Sequence, residues 1–395
     1  MPANFDKILN RRETNSVKWN AYPTDVLPMW VADMDFAAPE PILSALRKSL
    51  DHGVLGYEFP RPELMENVAR RMQRLYDWDV KAEEVVPVPG LVTGFNIAAR
   101  IVTQPGDGIL VQPPVYFPFM KVQKNTGTVM QLAELEKKSH GRTLHYEINW
   151  DVFDNALHSE DAPTRMFLFC NPHNPTGTIY SQADLTRLTQ TCQRENIIIC
   201  SDEIHSELLL NGQKHIPIAT LSPDAAQRTI TLVAASKTFN VAGLFVGFAI
   251  IQNEDLRKKF KAELEKLTFH TNSLGHIASE VAFSGVCDSW LEEVLAYLKE
   301  NRDFAVEYIR KYLPEINTTV PDATFLAWLD CNPAIAAGKI SGSPHRFFLE
   351  KAKVALNEGA TFGLGGEGFI RLNFACPRET LTEGLERMRA ALESE

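Results

Sequence analysis

The chain has 395 residues, and its 40 lysines and arginines against 50 aspartates and glutamates give a net charge of −10. This acidity argues against nucleic-acid and anionic-membrane partners, because the chain lacks the positive field that neutralises phosphate groups. With 45% hydrophobic and 23% charged residues, the composition is typical of a globular protein and excludes collagen, coiled coil and extended disorder.

The six cysteines lie far apart, and no two of them form a CxxC pair. This spacing predicts neither a metal site nor a disulfide scaffold, and it favours buried free thiols in a reducing compartment. The first 14 residues contain acidic side chains and no apolar core, unlike a signal peptide. The longest apolar run, 241–251, has 11 residues, whereas a membrane helix needs about 20. We therefore expect a cytoplasmic protein with no membrane partner.

Seven short apolar runs, rich in β-branched and aliphatic residues, alternate with longer amphipathic segments. The runs are 85–88, 108–112, 128–132, 166–170, 196–201, 229–234 and 247–251. This alternation predicts an α/β protein, with helices over segments such as 91–102, 183–195 and 262–269. Continuous apolar strands of this kind indicate a mostly parallel sheet covered on both faces.

Beyond about residue 285 the pattern changes to long helices beside isolated strands. The predicted segments are helices 290–313 and 345–358 and strands near 324–329 and 369–374. The first 45 residues have clustered prolines and no series of strands. We predict a large domain of residues 46–284 and a smaller α/β domain formed by 285–395 together with 1–45.

Unusual residues follow the predicted strands, where ligands gather in open α/β sheets. They are Gly90, Leu91 and Val92 at a helix start, then Tyr116, Asn174, Asp202, Ile204, His205 and Lys237. Singly, such residues are more often a turn, a core aromatic, a helix cap or a solvated lysine. The combination favours a site, because Lys237 directly follows an apolar run. A charged amine there is unfavourable unless its pKa falls or it forms a covalent bond.

Four stretches resemble fold-type I pyridoxal-phosphate (PLP) enzymes of the aminotransferase superfamily: NPHNPTG, SDEIH, AASKTFNVAGL and IRLNFACPR. More narrowly, WVADMDFAAP, DEIH and SKTFN together resemble the MalY/PatB family of cystathionine β-lyases and related carbon–sulfur lyases. The similarity runs from about residue 30 to 378. It implies a large domain with a seven-stranded, mostly parallel sheet and a smaller α/β domain.

The resemblance assigns the chemistry of the cofactor ring to four residues. Lys237 matches the lysine that bonds covalently to PLP. Asp202 matches the carboxylate that pairs with the pyridine nitrogen and so makes the ring an electron sink. Asn174 matches the amide that bonds the ring 3-oxygen, and His205 stands where relatives often have a tyrosine with the same role.

The remaining cofactor contacts implied by the resemblance concern the ring faces and the phosphate. Tyr116 would stack on one face of the ring and Ile204 on the other. The backbone N–H groups of Gly90, Leu91 and Val92 would hold the phosphate at the start of a helix.

Two further residues are assigned through the family motifs. Arg371 matches the arginine that binds the substrate α-carboxylate, together with Asn174, and planar bidentate pairing favours arginine there over lysine. Tyr57, in GYEFP, matches a tyrosine that reaches the phosphate of the neighbouring subunit. The resemblance therefore implies a homodimer with a shared active site.

The chain departs from the superfamily pattern at two positions near the phosphate. Phe245 stands eight residues after the lysine, where many aminotransferases have an arginine, and Ala234 stands where a hydroxyl residue is common. The phosphate site therefore has fewer side-chain donors than the pattern provides.

The resemblance implies β-elimination on cystathionine or a related L-cysteine S-conjugate, a small sulfur amino acid, to give thiol, pyruvate and ammonia. One alternative is an aminotransferase, which uses the same lysine, aspartate and arginine. Another is a regulatory binding protein in which PLP is structural. The thiol part of the substrate is not specified by the sequence.

Overall fold

A computed structural model of the chain describes residues 3–267 and 270–394. The α-helices of these residues are, in chain order, α1 (Val17–Asn20), α2 (Glu40–His52), α3 (Pro62–Tyr76), α4 (Leu91–Val102), α5 (Val122–Thr126), α6 (Trp150–Leu157), α7 (Gln182–Arg194), α8 (Pro223–Arg228), α9 (Ala235–Thr238), α10 (Glu254–Leu267), α11 (Ser273–Phe283), α12 (Asp288–Tyr312), α13 (Asn332–Ala336), α14 (Pro344–Phe347) and α15 (Arg378–Glu393). The strands are β1 (Leu27–Pro28), β2 (Val85–Val88), β3 (Gly108–Val111), β4 (Val129–Leu132), β5 (Glu136–His140), β6 (Thr143–Glu147), β7 (Thr164–Cys170), β8 (Ile198–Asp202), β9 (Thr229–Val233), β10 (Gly247–Ile250), β11 (Asn317–Thr319), β12 (Leu326–Asp330), β13 (Val354–Ala355), β14 (Asn357–Glu358) and β15 (Phe369–Asn373). Short 3₁₀ helices cover Ala82–Glu84, Phe119–Lys121, Ile218–Thr220, Ala242–Leu244 and Gly359–Phe362, and a π-helix covers Phe348–Ala352.

Seven strands form the first sheet, in the order β2-β10-β9-β8-β7-β3-β4. Neighbouring strands from β9 to β4 run parallel, and β10 runs antiparallel to both β2 and β9. Every strand predicted from the seven apolar runs lies in this sheet. The prediction of a seven-stranded, mostly parallel sheet is therefore confirmed.

Successive residues of β7 pack on opposite sides of the first sheet. Met166 and Leu168 belong to an apolar core shared with α4, whereas Phe167 and Phe169 belong to a core shared with α7. Because neighbouring side chains of a strand point to opposite faces, a strand covered on both faces is apolar throughout. This explains why the strands of the sheet read as continuous apolar runs.

Two of the three helices predicted around this sheet begin at or next to their predicted positions, whereas α10 begins eight residues before its predicted start. The helices predicted at 91–102 and 183–195 correspond to α4 and α7, and the one predicted at 262–269 falls on α10. Residues 268 and 269 lie outside the described residues. Within residues 3–267 and 270–394, no helix has both the length and the apolar character needed to cross a membrane.

Six strands form a second sheet, in the order β14-β15-β12-β11-β6-β5. Its strands β12 and β15 correspond to those predicted near 324–329 and 369–374. The hairpin β5–β6 follows β4 in the chain and pairs through β6 with β11. Because this hairpin lies within the range 46–284, that range contributes strands to both sheets. The division of the chain into two domains stays a prediction.

The prediction of a helix at 345–358 is wrong beyond residue 352, where the helical structure ends. Lys353 has a left-handed backbone with a φ of 55°, and the buried Val354–Ala355 pairs in parallel with Leu27–Pro28. Strand pairing requires extended backbone, and it satisfies here the backbone groups that a helix would have satisfied internally. The partner comes from the N-terminal segment, so local sequence could not reveal the pairing.

Candidate active site

A cavity of about 440 Å³ lies at the carboxyl ends of the parallel strands of the first sheet. All the predicted site residues line it, with the exception of Tyr57. They are Gly90, Leu91, Val92, Tyr116, Asn174, Asp202, Ile204, His205, Lys237 and Arg371. The structure thus brings together residues from β15 of the second sheet and from the strand ends of the first.

Lys237 lies in the short helix α9, which directly follows β9. Its Nζ donates a hydrogen bond to the Ala32 carbonyl at 2.6 Å. The pKa of Lys237 is lowered to about 8, chiefly by burial and also by the charge of Arg371, while the charges of Asp33 and Asp202 oppose the change. A substantial fraction of this amine is therefore uncharged near pH 8, as a nucleophile or base requires.

Asp202 is the last residue of β8, and its side chain is buried. Its Oδ1 accepts the backbone N–H of Ile204 at 3.2 Å. Burial raises the pKa of Asp202 to about 7, although the Ile204 hydrogen bond and the charge of Lys237 lower it. Among the described residues no cation lies within ion-pair distance of this carboxylate. A positively charged ring nitrogen in the cavity would provide the missing partner.

Arg371 is buried in β15, opposite Asn357 of β14. Its Nη1 donates to Asn174 Oδ1 at 2.8 Å, and its Nη2 donates to Asn357 Oδ1 at 2.5 Å and to the Trp30 carbonyl at 3.1 Å. Burial lowers the pKa of Arg371 to about 10. Within the described part of the chain no carboxylate pairs with it, so the guanidinium can accept the carboxylate of a ligand.

His205 and Tyr116 also face the buried end of the cavity. Burial lowers the pKa of His205 to about 3, and the charges of Lys237 and Arg371 contribute, so its imidazole is neutral. Its Nδ1 is buried and finds no hydrogen-bond partner among the described residues. Burial raises the pKa of Tyr116, with Asp202 contributing, so its phenol stays protonated.

The start of α4 forms the opposite end of the cavity. Gly90 precedes the helix with a φ of 84°, a conformation that favours glycine, and in the described chain no side chain caps the helix. The first N–H groups of a helix have no partner within it, so those near Leu91 and Val92 are suited to an anion. Phe245, the departure noted in the sequence, is 69% exposed beside Gly90.

Tyr57 does not reach the cavity of its own chain. It lies in an irregular segment between α2 and α3, and its side chain is 93% exposed. Its ring stacks on His270, with the ring centroids 5.2 Å apart. Its assigned role depends on a second chain and stays a prediction.

Cys170, the last residue of β7, places a thiol in the cavity wall. The thiol is buried and donates a weak hydrogen bond to the Pro172 carbonyl at 3.5 Å. Burial raises the pKa of Cys170 well above its ordinary value, and the neighbouring Asp202 adds to this effect. The group is therefore a thiol rather than a thiolate at neutral pH.

Sequence reasoning missed several residues of the cavity. Asn357 lies in the stretch wrongly predicted as helical, so its position opposite Arg371 was hidden. Trp30 and Ala32 belong to the WVADMDF stretch, which served only to recognise the family. Their contacts use backbone carbonyls, which every residue possesses, and so leave no signature in the sequence.

The residues of the cavity fit PLP. Lys237 offers an amine of lowered pKa for an aldehyde, Asp202 an unpaired carboxylate for a ring nitrogen, and the uncapped start of α4 a group of N–H donors for a phosphate. Two buried nitrogen atoms also lack partners within the described residues, Nδ1 of His205 and Nε of Arg371. The fold and this cavity define a fold-type I PLP-dependent enzyme.

Comparison with known proteins agrees with this class. Residues 21–388 match the family model "Aminotransferase class I and II". The chain belongs to this family and, within it, to the MalY/PatB group of cystathionine β-lyases. Cystathionine β-lyase PatB of Bacillus subtilis (strain 168) is 41% identical over 401 residues, which cover 98% of this chain and 100% of PatB.

Two solved structures are similar over nearly their whole length. The PLP-bound C–S lyase from Staphylococcus hominis has a TM-score of 0.91 and 32% identity, covering 99% of this chain and 98% of that one. Cystalysin from Treponema denticola, which contains PLP, has a TM-score of 0.92 and 30% identity, with both chains covered completely. Both of these structures contain PLP, the cofactor that fits the cavity of this chain.

Proposed function

We propose that this protein is a PLP-dependent carbon–sulfur β-lyase. Its substrates are cystathionine or related L-cysteine S-conjugates, and its products are a thiol, pyruvate and ammonia. One observation carries the proposal: a single cavity holds the Lys237 amine, with a pKa of about 8, and the Arg371 guanidinium, which has no carboxylate partner among the described residues. The names of the relatives support the choice of a lyase.

The residues of the cavity have two kinds of role in the proposed reaction, substrate binding and proton transfer. PLP, when bound, supplies an electron sink for the negative charge that develops at the α-carbon. Arg371 binds the substrate α-carboxylate through its two Nη groups, with Asn174 and Asn357 fixing the guanidinium plane. Lys237 accepts the α-proton at Nζ. Asp202 provides the negative charge that keeps a ring nitrogen protonated.

Elimination then breaks the bond between the β-carbon and sulfur, and the thiolate leaves with that electron pair. Water converts the remaining three-carbon fragment to pyruvate and ammonia, so one water is consumed for each thiol released. Arg371 determines which bond breaks, because it fixes the orientation of the substrate about its α-carbon.

The decisive experiment separates elimination from amino transfer. We expect purified protein to release pyruvate, ammonia and thiol in equal amounts from cystathionine, with no keto acid added. Alanine has no leaving group and should undergo only slow transamination. Each ~1.4 kcal/mol between the two barriers changes their ratio tenfold. Turnover that requires a keto acid, and transfers the amino group to it, would establish the aminotransferase alternative instead.

The nature of the leaving group requires a panel of substrates. Cystathionine, cysteine and larger cysteine S-conjugates, assayed at equal concentration for pyruvate and thiol, would rank the thiols that the cavity accepts. Turnover of none of them by PLP-loaded protein would favour the regulatory binding protein with structural PLP.

We also propose a homodimer with shared active sites, working in the cytoplasm. Tyr57 and Phe59 are among the most exposed large apolar side chains of the described residues, and Val54 and Leu55 of the same segment are also exposed. A second copy that covered this segment would remove apolar area from water. Six buried free thiols support a reducing compartment. The large domain 46–284 and the small domain of 1–45 with 285–395 remain part of this proposal.

A further inference from the structure

The loop 30–36, with the sequence WVADMDF, contacts both cations of the cavity, the buried Arg371 and the half-buried Lys237. The Trp30 carbonyl accepts a hydrogen bond from Arg371 at 3.1 Å, and the Ala32 carbonyl accepts one from Lys237 Nζ at 2.6 Å. A backbone carbonyl only accepts hydrogen bonds and does not titrate in the working pH range. It therefore holds an N–H group without competing for the proton that the amine carries.

Asn240 ties this loop to the turn that carries Lys237. It lies three residues after the lysine, and its Nδ2 donates to the carbonyls of Met34 and Phe36 at 3.0 and 2.7 Å. Its Oδ1 accepts the Met34 N–H at 3.0 Å. The distance between the loop and the Lys237 backbone is fixed by three hydrogen bonds from one side chain.

Asn373 makes the equivalent connection to the strand that carries Arg371. It lies two residues after the arginine, and its Nδ2 donates to the carbonyls of Val31 and Asp33 at 2.6 and 2.7 Å. The motif stretches WVADMDF, SKTFN and IRLNF therefore contact one another through residues that were given no role from the sequence.

The two aspartates of the loop are held from the N-terminal side by an ion-pair network. Arg11 donates to both oxygens of Asp33, at 3.2 and 2.6 Å, and to Asp35 at 2.6 Å. The buried Lys18 donates to Asp35 at 2.8 Å and to the Asp33 carbonyl at 3.2 Å, and Trp19 Nε1 donates to Asp35 at 2.8 Å. Such a network orders an irregular loop because each charge has several partners.

We propose that the 30–36 loop receives the Lys237 amine whenever this nitrogen is not bonded to the cofactor, with Asp33 and Asn240 as positioning residues. The Ala32 carbonyl takes one N–H of the amine and leaves the lone pair of the nitrogen free to accept a proton. This inference rests on the proposed function, in which Lys237 accepts the α-proton. A misplacement of about 1 Å in such a group can reduce the rate about 10²-fold.

The charges around Lys237 make the proposal measurable. Asp33 and Asp202 favour the charged amine, whereas Arg371 and burial disfavour it. His205, which also faces the amine, is neutral at the pH of the assay. Loss of the Asp33 charge should therefore lower the pKa of Lys237, while the other three groups stay unchanged.

The experiment compares three variants of the full-length chain with the wild type. Asp33→Asn removes the charge, and Asn240→Gly removes the clamp while tolerating the φ of 55° at that position. Asp224→Asn is the matched control, since Asp224 also accepts two hydrogen bonds from one arginine, Arg228, but lies in α8 away from the cavity. Cofactor-free protein is mixed with PLP, and the rate at which the visible band appears is followed from pH 6 to 10.

PLP capture needs the uncharged amine, so we expect the pH at half-maximal capture rate to fall below the wild-type value in Asp33→Asn, which loses a charge that favours the protonated amine. It should also fall in Asn240→Gly, because the released loop no longer holds the Ala32 carbonyl and the Asp33 charge at the amine. In the reloaded enzymes kcat with cystathionine should fall about tenfold, with KM within about twofold of wild type. Asp224→Asn should match the wild type in all three measurements.

Two results bear on the proposal in opposite ways. If both loop variants match Asp224→Asn in capture midpoint and kcat, the proposal is overturned; if Asp33→Asn fails to fold, Asn240→Gly alone decides it. If the wild type has no β-lyase activity but the capture midpoints still fall, the amine position stands and the proposed function fails.

Discussion

The buried end and the open end of the cavity differ in how much one chain provides. At the buried end Lys237, Asp202 and Arg371 are enclosed, and each is held by a hydrogen bond within the chain. At the open end Phe245 is 69% exposed, and Tyr57 lies outside the cavity altogether. The groups assigned to bond breaking are thus preorganised within one chain, whereas the phosphate end is left open. Under the proposed dimer, a second copy completes it.

The largest expected effect lies at the buried end. Lys237→Ala removes the amine that takes the α-proton, so we expect kcat to fall by about 10⁴-fold. The fold should be retained, as judged by circular dichroism. Borohydride reduction of the yellow wild-type protein should fix PLP to Lys237, with mass spectrometry locating the adduct. Lys266→Ala, which changes an exposed lysine of α10, is the matched control. An adduct on any other lysine would reject the assignment.

Asp202→Asn should reduce kcat by about 10²- to 10³-fold, because a neutral amide cannot keep the ring nitrogen charged. The same change should stabilise the cofactor-free chain. Burial raises the pKa of Asp202 to about 7 from an ordinary 3.8, so between about pH 4 and 7 the folded chain retains a proton that the unfolded chain has lost. Its free energy of unfolding therefore falls as pH rises through this window.

Urea denaturation of the cofactor-free proteins at pH 4 and pH 8 checks this second effect. We expect the free energy of unfolding of Asp202→Asn to exceed that of the wild type by about 4 kcal/mol at pH 8 and to lie within about 1 kcal/mol of it at pH 4. If the difference in the free energy of unfolding between the variant and the wild type is the same at both pH values, the raised pKa of Asp202 is contradicted.

Arg371→Lys should lower kcat/KM by about 10²-fold, chiefly through a higher KM. Lysine keeps the charge but cannot form the planar pair with a carboxylate, and it loses the simultaneous contacts to Asn174 and Asn357. Steady-state kinetics with cystathionine measure the change. Arg310→Lys, on the remote helix α12, should leave both constants unaltered. An unchanged KM would place the substrate carboxylate elsewhere.

The smallest of these effects concerns the open end. Tyr57→Phe removes one hydrogen bond to the cofactor of the neighbouring subunit, so PLP should dissociate about tenfold more readily. Mixed dimers of Tyr57→Phe and Lys237→Ala chains sharpen the comparison, since one of their two sites has both native residues. Under limiting PLP their activity should exceed the sum of the parents' activities. Activity no greater than that sum would place Tyr57 in its own subunit's site.

The sequence revealed the first sheet because both of its faces are covered. A strand such as β7 is then apolar along most of its length. The end of such a strand can be located in the sequence because polar residues follow it. Cys170, Asp202 and Lys237 lie at or just beyond three neighbouring strand ends for this reason. Because ligands gather at the carboxyl ends of parallel strands, the strand ends alone predict most of the candidate site.

The second sheet was less predictable because its strands depend on distant partners. The strand β5, with the sequence EKKSH, is charged and largely exposed, so it offers no apolar run. Asn357 acquires its place only when β13 pairs with the N-terminal segment. The position of Tyr57 relative to a cavity depends on a second chain, and no pattern within one sequence records it.

Cys170 has a further consequence for an enzyme that releases thiols. Mixed disulfides form by thiolate attack, so a cysteine in the cavity wall is a potential target for oxidised thiol products. Burial raises the pKa of Cys170, so it presents almost no thiolate at neutral pH. On the proposed function, Cys170 should therefore react slowly with oxidised thiol products, although it lines the cavity in which thiols are released.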